Sequence, residues 1–206
     1  MTNGTEKYIE TVSYLGKLYE FINQNLFNGE LLKPVITVQV DSRNKSFGWW
    51  STQKVWKESK DDEGAHELNV CAQFLNRSAE DIAETIIHEM CHQYASIHNL
   101  KDCSRSGKYH NKLFKYIAET HGLLVEKDDK SGWAFTSLAS TTLELVKKFI
   151  DENPDKVIFR SPIAKGSVVK SSSTRKYICP VCQASVRATK AVNIKCADCD
   201  EYMVEE

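Results

Sequence analysis

Residues 78–98 read SAEDIAETIIHEMCHQYASIH, and their pattern decides how the rest of the chain is read. Ile82, Ile86, Met90 and Tyr94 recur at helical steps, and Ser78 followed by Asp81 gives a capping-box pattern, so a helix is predicted from about Ser78. His88 and His92 are four apart within the HExxH sequence His88-Glu89-Met90-Cys91-His92, one turn from each other on one side of that helix. At about 100° per residue they fall opposite the apolar stripe, leaving the histidines free to face a cleft. Two neutral imidazoles at this spacing suit one zinc ion, with Glu89 beside them as general base. A solvated His/Glu face is the alternative, and the cap together with the separate apolar stripe weighs against it.

Catalytic zinc takes a third protein ligand and keeps one position open, and three residues compete for that place. His98 has the spacing of an HExxHxxGxxH pattern, but Ala95 stands where that pattern needs a helix-breaking glycine. A continuing helix carries His98 about 9 Å along the axis and rotates it away. Glu119 on the next helix would complete a His₂Glu set. His110, at a loop-to-helix corner after Gly107, can turn back to the first helix without breaking either helix, and is preferred. Cys71 and Cys103 have no partner motif for a His₂Cys site, and Cys91 suits a small buried hydrophobe. His121 reads as a helix C-terminal residue stabilised by the dipole, and His66 as a surface residue. Tyr109 and Tyr94 are candidates for stabilising an oxyanion, and the sequence does not choose between them.

Working outward, Tyr8, Val12, Leu15, Tyr19, Ile22 and Leu26 mark an amphipathic helix that stops at Asn28-Gly29. The β-branched run Val35 to Val40, Phe47 to Trp50 and Glu67 to Val70 predict a small sheet. Leu113, Phe114, Ile117 and Ala118 predict another helix ending at Gly122. Trp133 to Leu138 fits a short strand or a packing loop, and Leu143 to Ile150 a last helix before Asn153-Pro154. The fold class expected is α+β, with a metal-binding domain over 1–154, a basic flexible linker over 155–176 that includes Ser171 to Ser173, and a small module over 177–206.

That module carries Cys179-Pro180-Val181-Cys182 and Cys196-Ala197-Asp198-Cys199, two CxxC knuckles separated by a span suited to a β-hairpin. The spacing is that of a Cys₄ zinc ribbon, whose four thiolates fill the coordination sphere and make the ion structural. Two zinc ions are therefore expected, one catalytic and one structural. Although the net charge is −1, the stretch from Lys156 to Lys195 is basic and free of Asp and Glu, the footprint of a polyanion partner. Arg187, Lys190 and Lys195 on the hairpin, with Tyr177 and Tyr202 as stacking rings, would suit DNA, including a single strand. Trp49, Trp50 and Trp56 read as core or groove packing rather than base stacking. There is no apolar run long enough for a membrane span and no leader pattern, so membrane partners are not expected and a cytoplasmic location, with association to DNA, is. Seven cysteines in such a compartment read as metal ligands and buried thiols, not disulfides.

The run HEMCHQY (88–94), a polar loop and GKYHNKLF (107–114), preceded by LFNGEL (26–31) after a helix and by the strand at 67–70, resembles the SprT/Spartan zinc metallopeptidases. The resemblance covers roughly Tyr8 to Gly122 and, more loosely, the C-terminal module. It implies a small zincin-like domain followed by a zinc ribbon, with His88, His92 and His110 as zinc ligands and Glu89 as base. It further implies an endopeptidase acting on DNA-associated proteins, crosslinked ones among them. Two other readings stand beside it: a nucleic-acid-binding adaptor that holds zinc but cleaves little, and a peptidase indifferent to DNA. The sequence does not determine the oligomeric state.

Overall fold

A computed structural model describes residues 3–42, 46–154, 157–161 and 174–206. The chain divides into two compact units, Met1–Pro162 and Ile163–Glu206. The joint expected over 155–176, Ser171 to Ser173 included, lies largely outside the described residues.

The first helix, α1 (Gly4–Leu26), starts at a full capping box in which the Asn3 side chain accepts the Glu6 N–H and the Glu6 carboxylate accepts the Asn3 N–H, both at 2.9 Å. It stops because Asn28 (φ 53°) and Gly29 (φ 71°) turn left-handed. Buried Asn23 then ties down the following loop, donating from Nδ2 to the Leu31 carbonyl at 2.8 Å and accepting the Leu31 N–H at 3.2 Å. The sheet expected next forms from β1 (Val35–Thr37), β2 (Gly48–Trp50) and β3 (Glu67–Val70) in the order β1-β3-β2. Central β3 runs parallel to β1 and antiparallel to β2, and every one of its residues is buried. Its two polar members are satisfied there, since the Thr37 hydroxyl lies 2.6 Å from Glu67 Oε1 and 3.0 Å from Asn69 Oδ1.

Helix α2 (Ala79–Ile97) carries the HExxH sequence through the middle of the unit. Ser78 accepts the Asp81 N–H at 3.1 Å, the forward half of the box read from the sequence. The apolar face is wider than the single stripe expected: Ile82, Ala83, Ile86, Ile87, Met90, Cys91 and Ala95 are all buried. The reason is that α2 is packed from several directions. Tyr19 of α1 donates to Gln93 Oε1 at 2.8 Å, and Gln93 Nε2 donates to the Leu32 carbonyl at 2.7 Å.

Against α2 packs a second sheet, most of which the sequence does not signal. It comprises β4 (Cys103–Ser104), β5 (Tyr109–His110), β6 (Leu123–Asp128) and β7 (Gly132–Leu138) in the order β4-β5-β7-β6. The residues at 132–138 are thus a strand, and β6 is its antiparallel partner from Leu123↔Leu138 to Asp128↔Gly132. Glu126 and Lys127 suit an edge strand and obscure its alternation in the sequence. Helix α3 (Lys112–Thr120) joins β5 to β6, and α4 (Ser140–Glu152) closes the core, its Phe149 ring 5.8 Å from Tyr14 and 5.0 Å from Phe21. The segment expected to begin a joint at Asp155 is still held to this unit, where the Ile158 N–H donates to Thr11 Oγ1 at 3.0 Å and the Arg160 N–H to the Ala72 carbonyl at 2.9 Å.

The second unit contains β8 (Arg175–Ile178), β9 (Ser185–Ala188), β10 (Lys195–Cys196), β11 (Glu201–Tyr202) and β12 (Val204–Glu205). They form a sheet ordered β12-β8-β9 and a separate β10-β11 hairpin. A single hairpin between the knuckles was expected. Instead each knuckle caps its own hairpin, 179–182 between β8 and β9 and 196–199 between β10 and β11. A left-handed residue follows each one, Gln183 (φ 62°) and Asp200 (φ 55°), so both loops turn back by the same device. Among the described residues no helix is long and apolar enough to cross a membrane.

Candidate metal centres and active site

His88 and His92 leave α2 on the same side and meet His110 from β5. The Nε2 of His110 is 3.2 Å from that of His88 and 3.1 Å from that of His92. Zinc bound tetrahedrally at 2.0–2.1 Å spaces its nitrogens about 3.3 Å apart, so the three atoms fit one ion. Three lone pairs facing one another at this distance repel, so the arrangement calls for a cation or for a proton shared between the rings. Phe114, fully buried on α3, forms the floor beneath all three rings, with centroid distances of 4.8 Å to His88, 4.7 Å to His92 and 4.5 Å to His110.

Local sequence explains how His110 reaches this place. Arg105, Ser106 and Gly107 all take positive φ and close the β4-β5 hairpin. The His110 N–H donates to the Ser131 carbonyl at 2.9 Å, and Asn111 caps α3 by accepting the Leu113 N–H at 2.7 Å. Gly132 lets the strands approach: at φ +74° a Cβ there would stand 2.2 Å from the His110 carbonyl oxygen.

Outer contacts hold two of the rings. His92 Nδ1 lies 2.5 Å from Asp102 Oδ2, and His88 Nδ1 lies 3.1 Å from Thr136 Oγ1, whose hydroxyl in turn donates to Glu84 Oε1. Burial holds His88 well below the ordinary imidazole range and takes His110 down to about 4, so both have lone pairs to give. At His92 burial pulls the same way, but hydrogen bonds that the ring donates to Asp102 and Cys103 and the charges of Glu89 and Asp102 outweigh it and raise the ring to about 10. The surroundings thus favour positive charge at this point, which a metal cation also supplies.

Glu89 is buried beside the histidines, and burial raises it to about 7 while the Trp50 backbone N–H hydrogen-bonds to it. An open groove runs past it, bordered on one side by Phe47, Glu84 and Thr136 and on the other by Trp49, Asp102 and Cys103. Strand β2, at the edge of its sheet, lines this groove through Gly48, Trp49 and Trp50.

The other candidates lie elsewhere. His98 caps the end of α2 and faces Glu30 at 3.6 Å, while Glu119 is paired with Lys115 at 3.5 Å. His121 ends α3 as expected, but its ring stacks on Phe27 at 4.2 Å and burial lowers its pKa, so it is a neutral packed ring and not a dipole-stabilised cation. His66 is likewise no plain surface residue, since Trp50 stacks on it at 4.7 Å. Neither Tyr94, packed on His98 and His121, nor Tyr109, under Arg105, lines the groove. Cys103, on β4, sits at the rim of the site, its Sγ 3.9 Å from His92 Nδ1. Sequence reasoning missed Glu84, Asp102, Phe114 and Thr136 as parts of the site. Glu84 alone carried a signal, being one helical turn before His88.

In the second unit the four sulfurs of Cys179, Cys182, Cys196 and Cys199 all lie within 4.8 Å of one another. The Cys182–Cys196 separation is 3.7 Å, close to the roughly 3.8 Å expected for zinc–sulfur bonds of 2.3 Å. The backbone N–H of Cys182, then that of Val181, points at Cys179 and lowers its thiol to about 7, easing loss of the proton. The basic character of this unit is largely offset: Arg175 pairs with Glu205 at 2.7 Å, Lys195 with Asp200 at 2.5 Å, and Lys176 with Glu206. Tyr177, offered as a stacking ring, is buried and its hydroxyl accepts the Val192 N–H at 3.2 Å; Tyr202 is exposed.

A model of the SprT-like family matches residues 15–130, more than half of the chain, and takes in both histidines of α2, Glu89 and His110. Comparison with curated proteins and with solved structures returns no match.

Proposed function

Since this chain belongs to the SprT-like family, a family associated with metallopeptidase-like domains, we propose that it is a zinc-dependent endopeptidase of zincin type acting on proteins held on DNA, crosslinked ones among them. One observation carries the reading: three imidazole nitrogens converge at metal-ligand spacing beside a buried carboxyl group in an open groove. His88, His92 and His110 would hold the ion. Zinc, when bound, supplies a Lewis acid that polarises a peptide carbonyl and makes water a better nucleophile. The protein's own residues do the rest. The β2 edge orients an extended substrate across the histidines, and Glu89, brought near neutrality by burial, takes a proton from water and returns it to the departing amine. A closed Cys₄ zinc at Cys179, Cys182, Cys196 and Cys199 would fold the ribbon.

DNA as partner is supported by the basic stretch from Lys156 to Lys195. In the ribbon, Arg187 and Lys190 are the basic residues for which no ion pair is seen among the described residues. The decisive experiment is cleavage of a DNA-binding protein with and without single-stranded DNA, by the parent and by Glu89→Gln. Gln keeps the shape but accepts no proton, so a fall on the order of 10²–10⁴-fold with metal retained is expected. Equal cleavage by both proteins would exclude this mechanism. A zinc-loaded parent that binds DNA and cleaves nothing would instead identify an adaptor.

A further inference from the structure

We propose that Thr136, with Glu84 behind it, and Asp102 are positioning residues that fix the tautomers of His88 and His92 and thereby aim both Nε2 lone pairs at one metal. This rests on the three-histidine reading above and concerns residues that act on the ion only through its ligands. The argument is one of proton bookkeeping. Burial raises the Glu84 carboxyl, but the Thr136 hydroxyl and the Arg77 charge favour its ionised form, which can only accept, so the single hydrogen of the Thr136 hydroxyl is committed to it. The threonine oxygen is then left as an acceptor, and His88 Nδ1 at 3.1 Å must be the protonated nitrogen. His88 Nε2 is therefore the lone pair. Asp102 does the same for His92 in a single step.

Two features separate this from ordinary packing. Glu84 lies on α2 one turn before His88, yet it acts through a strand residue from the other sheet, so helix and sheet must be in register for the ring to be held. His110 differs, because its Nδ1 is buried with no hydrogen-bond partner and its place is set by the backbone bond to Ser131. The proximity of Cys103 to this pair invites a second reading, a metal ion shared by His92, Asp102 and Cys103. The His92–Asp102 distance of 2.5 Å opposes it, since two ligands on one tetrahedral ion stand about 3.3 Å apart. The contact is a hydrogen bond.

The test uses the full chain loaded with zinc and a graded chelator, measuring the affinity of the ion that His110→Ala removes. Thr136→Val keeps the shape but cannot relay, and Asp102→Asn removes the charge; each is expected to weaken that ion about 10–100-fold. Thr136→Ser restores the hydroxyl and should return the affinity to near the parent value. Cobalt substitution gives a second readout, since mis-aimed rings change the visible absorption of the site even where the fold is intact. Parent-like affinity and spectrum in Thr136→Val would overturn the role of the relay, and equal losses in the Val and Ser variants would reduce Thr136 to packing. Parent-like behaviour of Asp102→Asn would remove Asp102. If the parent and His110→Ala hold the same number of ions, the failure lies instead with the three-histidine centre.

Discussion

At the scale of the residue, HExxH could be read because its requirement is local: two side chains one turn apart need only a helix. His110 was also accessible, since Ala95 and Gly107 told which helix could continue and where the chain could turn. Phe114 was legible only as core, because nothing in the sequence says that one aromatic ring will lie under three imidazoles contributed by two elements. Its double duty gives a prediction. Phe114→Ala should destabilise the first unit by about 3–5 kcal/mol, measured by urea unfolding, and should weaken the histidine-bound ion as the floor is lost. The ligand assignment is checked separately, since His110→Ala should lose that ion in metal analysis whereas His98→Ala, a helix cap paired with Glu30, should keep it. The reverse pattern would restore His98 as the ligand.

Elements were legible where their signals were strong and blurred where the chain pairs at a distance. The sheet β1-β3-β2 and helices α1, α2 and α3 follow from apolar periodicity and caps. The β4-β5-β7-β6 sheet does not, for β4 and β5 are two residues each and β6 carries the charges of an edge. Its existence depends on a close approach that only Gly132 permits. Gly132→Ala should therefore act far from its own position: left-handed strain of about 1–3 kcal/mol adds to a clash with the His110 carbonyl, and β5 must move. Melting should shift down, and metal content should fall from about two ions per chain to about one, the ribbon keeping its own. Two ions and an unchanged melting temperature would show that β5 is held by something other than this contact. Ser78→Ala is the milder comparison, a lost cap on α2 costing about 1 kcal/mol without displacing a ligand.

For the whole molecule, the two units rest on different physics. The first has a continuous apolar core drawn from residues between Tyr14 and Val157, whereas the only buried apolar residues among those described in the second are Tyr177, Cys179 and Cys196. So small an interior would leave folding to a bound metal, and on that reading Cys182→Ser should unfold the ribbon while the first unit melts as before. Charge is distributed just as unevenly. The sequence places Arg175, Lys176, Arg187, Lys190 and Lys195 together, but carboxylates from the end of the chain meet three of them. If the ribbon tracks a DNA backbone, Arg187 and Lys190 are its available phosphate contacts. Replacing both by alanine should reduce the slope of log affinity against log salt on single-stranded DNA by roughly 1.4, at about 0.7 per phosphate contact. Replacing Arg175 and Lys176 should change it less, because each already has an anionic partner. An unchanged slope in the Arg187/Lys190 variant would take the nucleic-acid surface off these two residues of the ribbon.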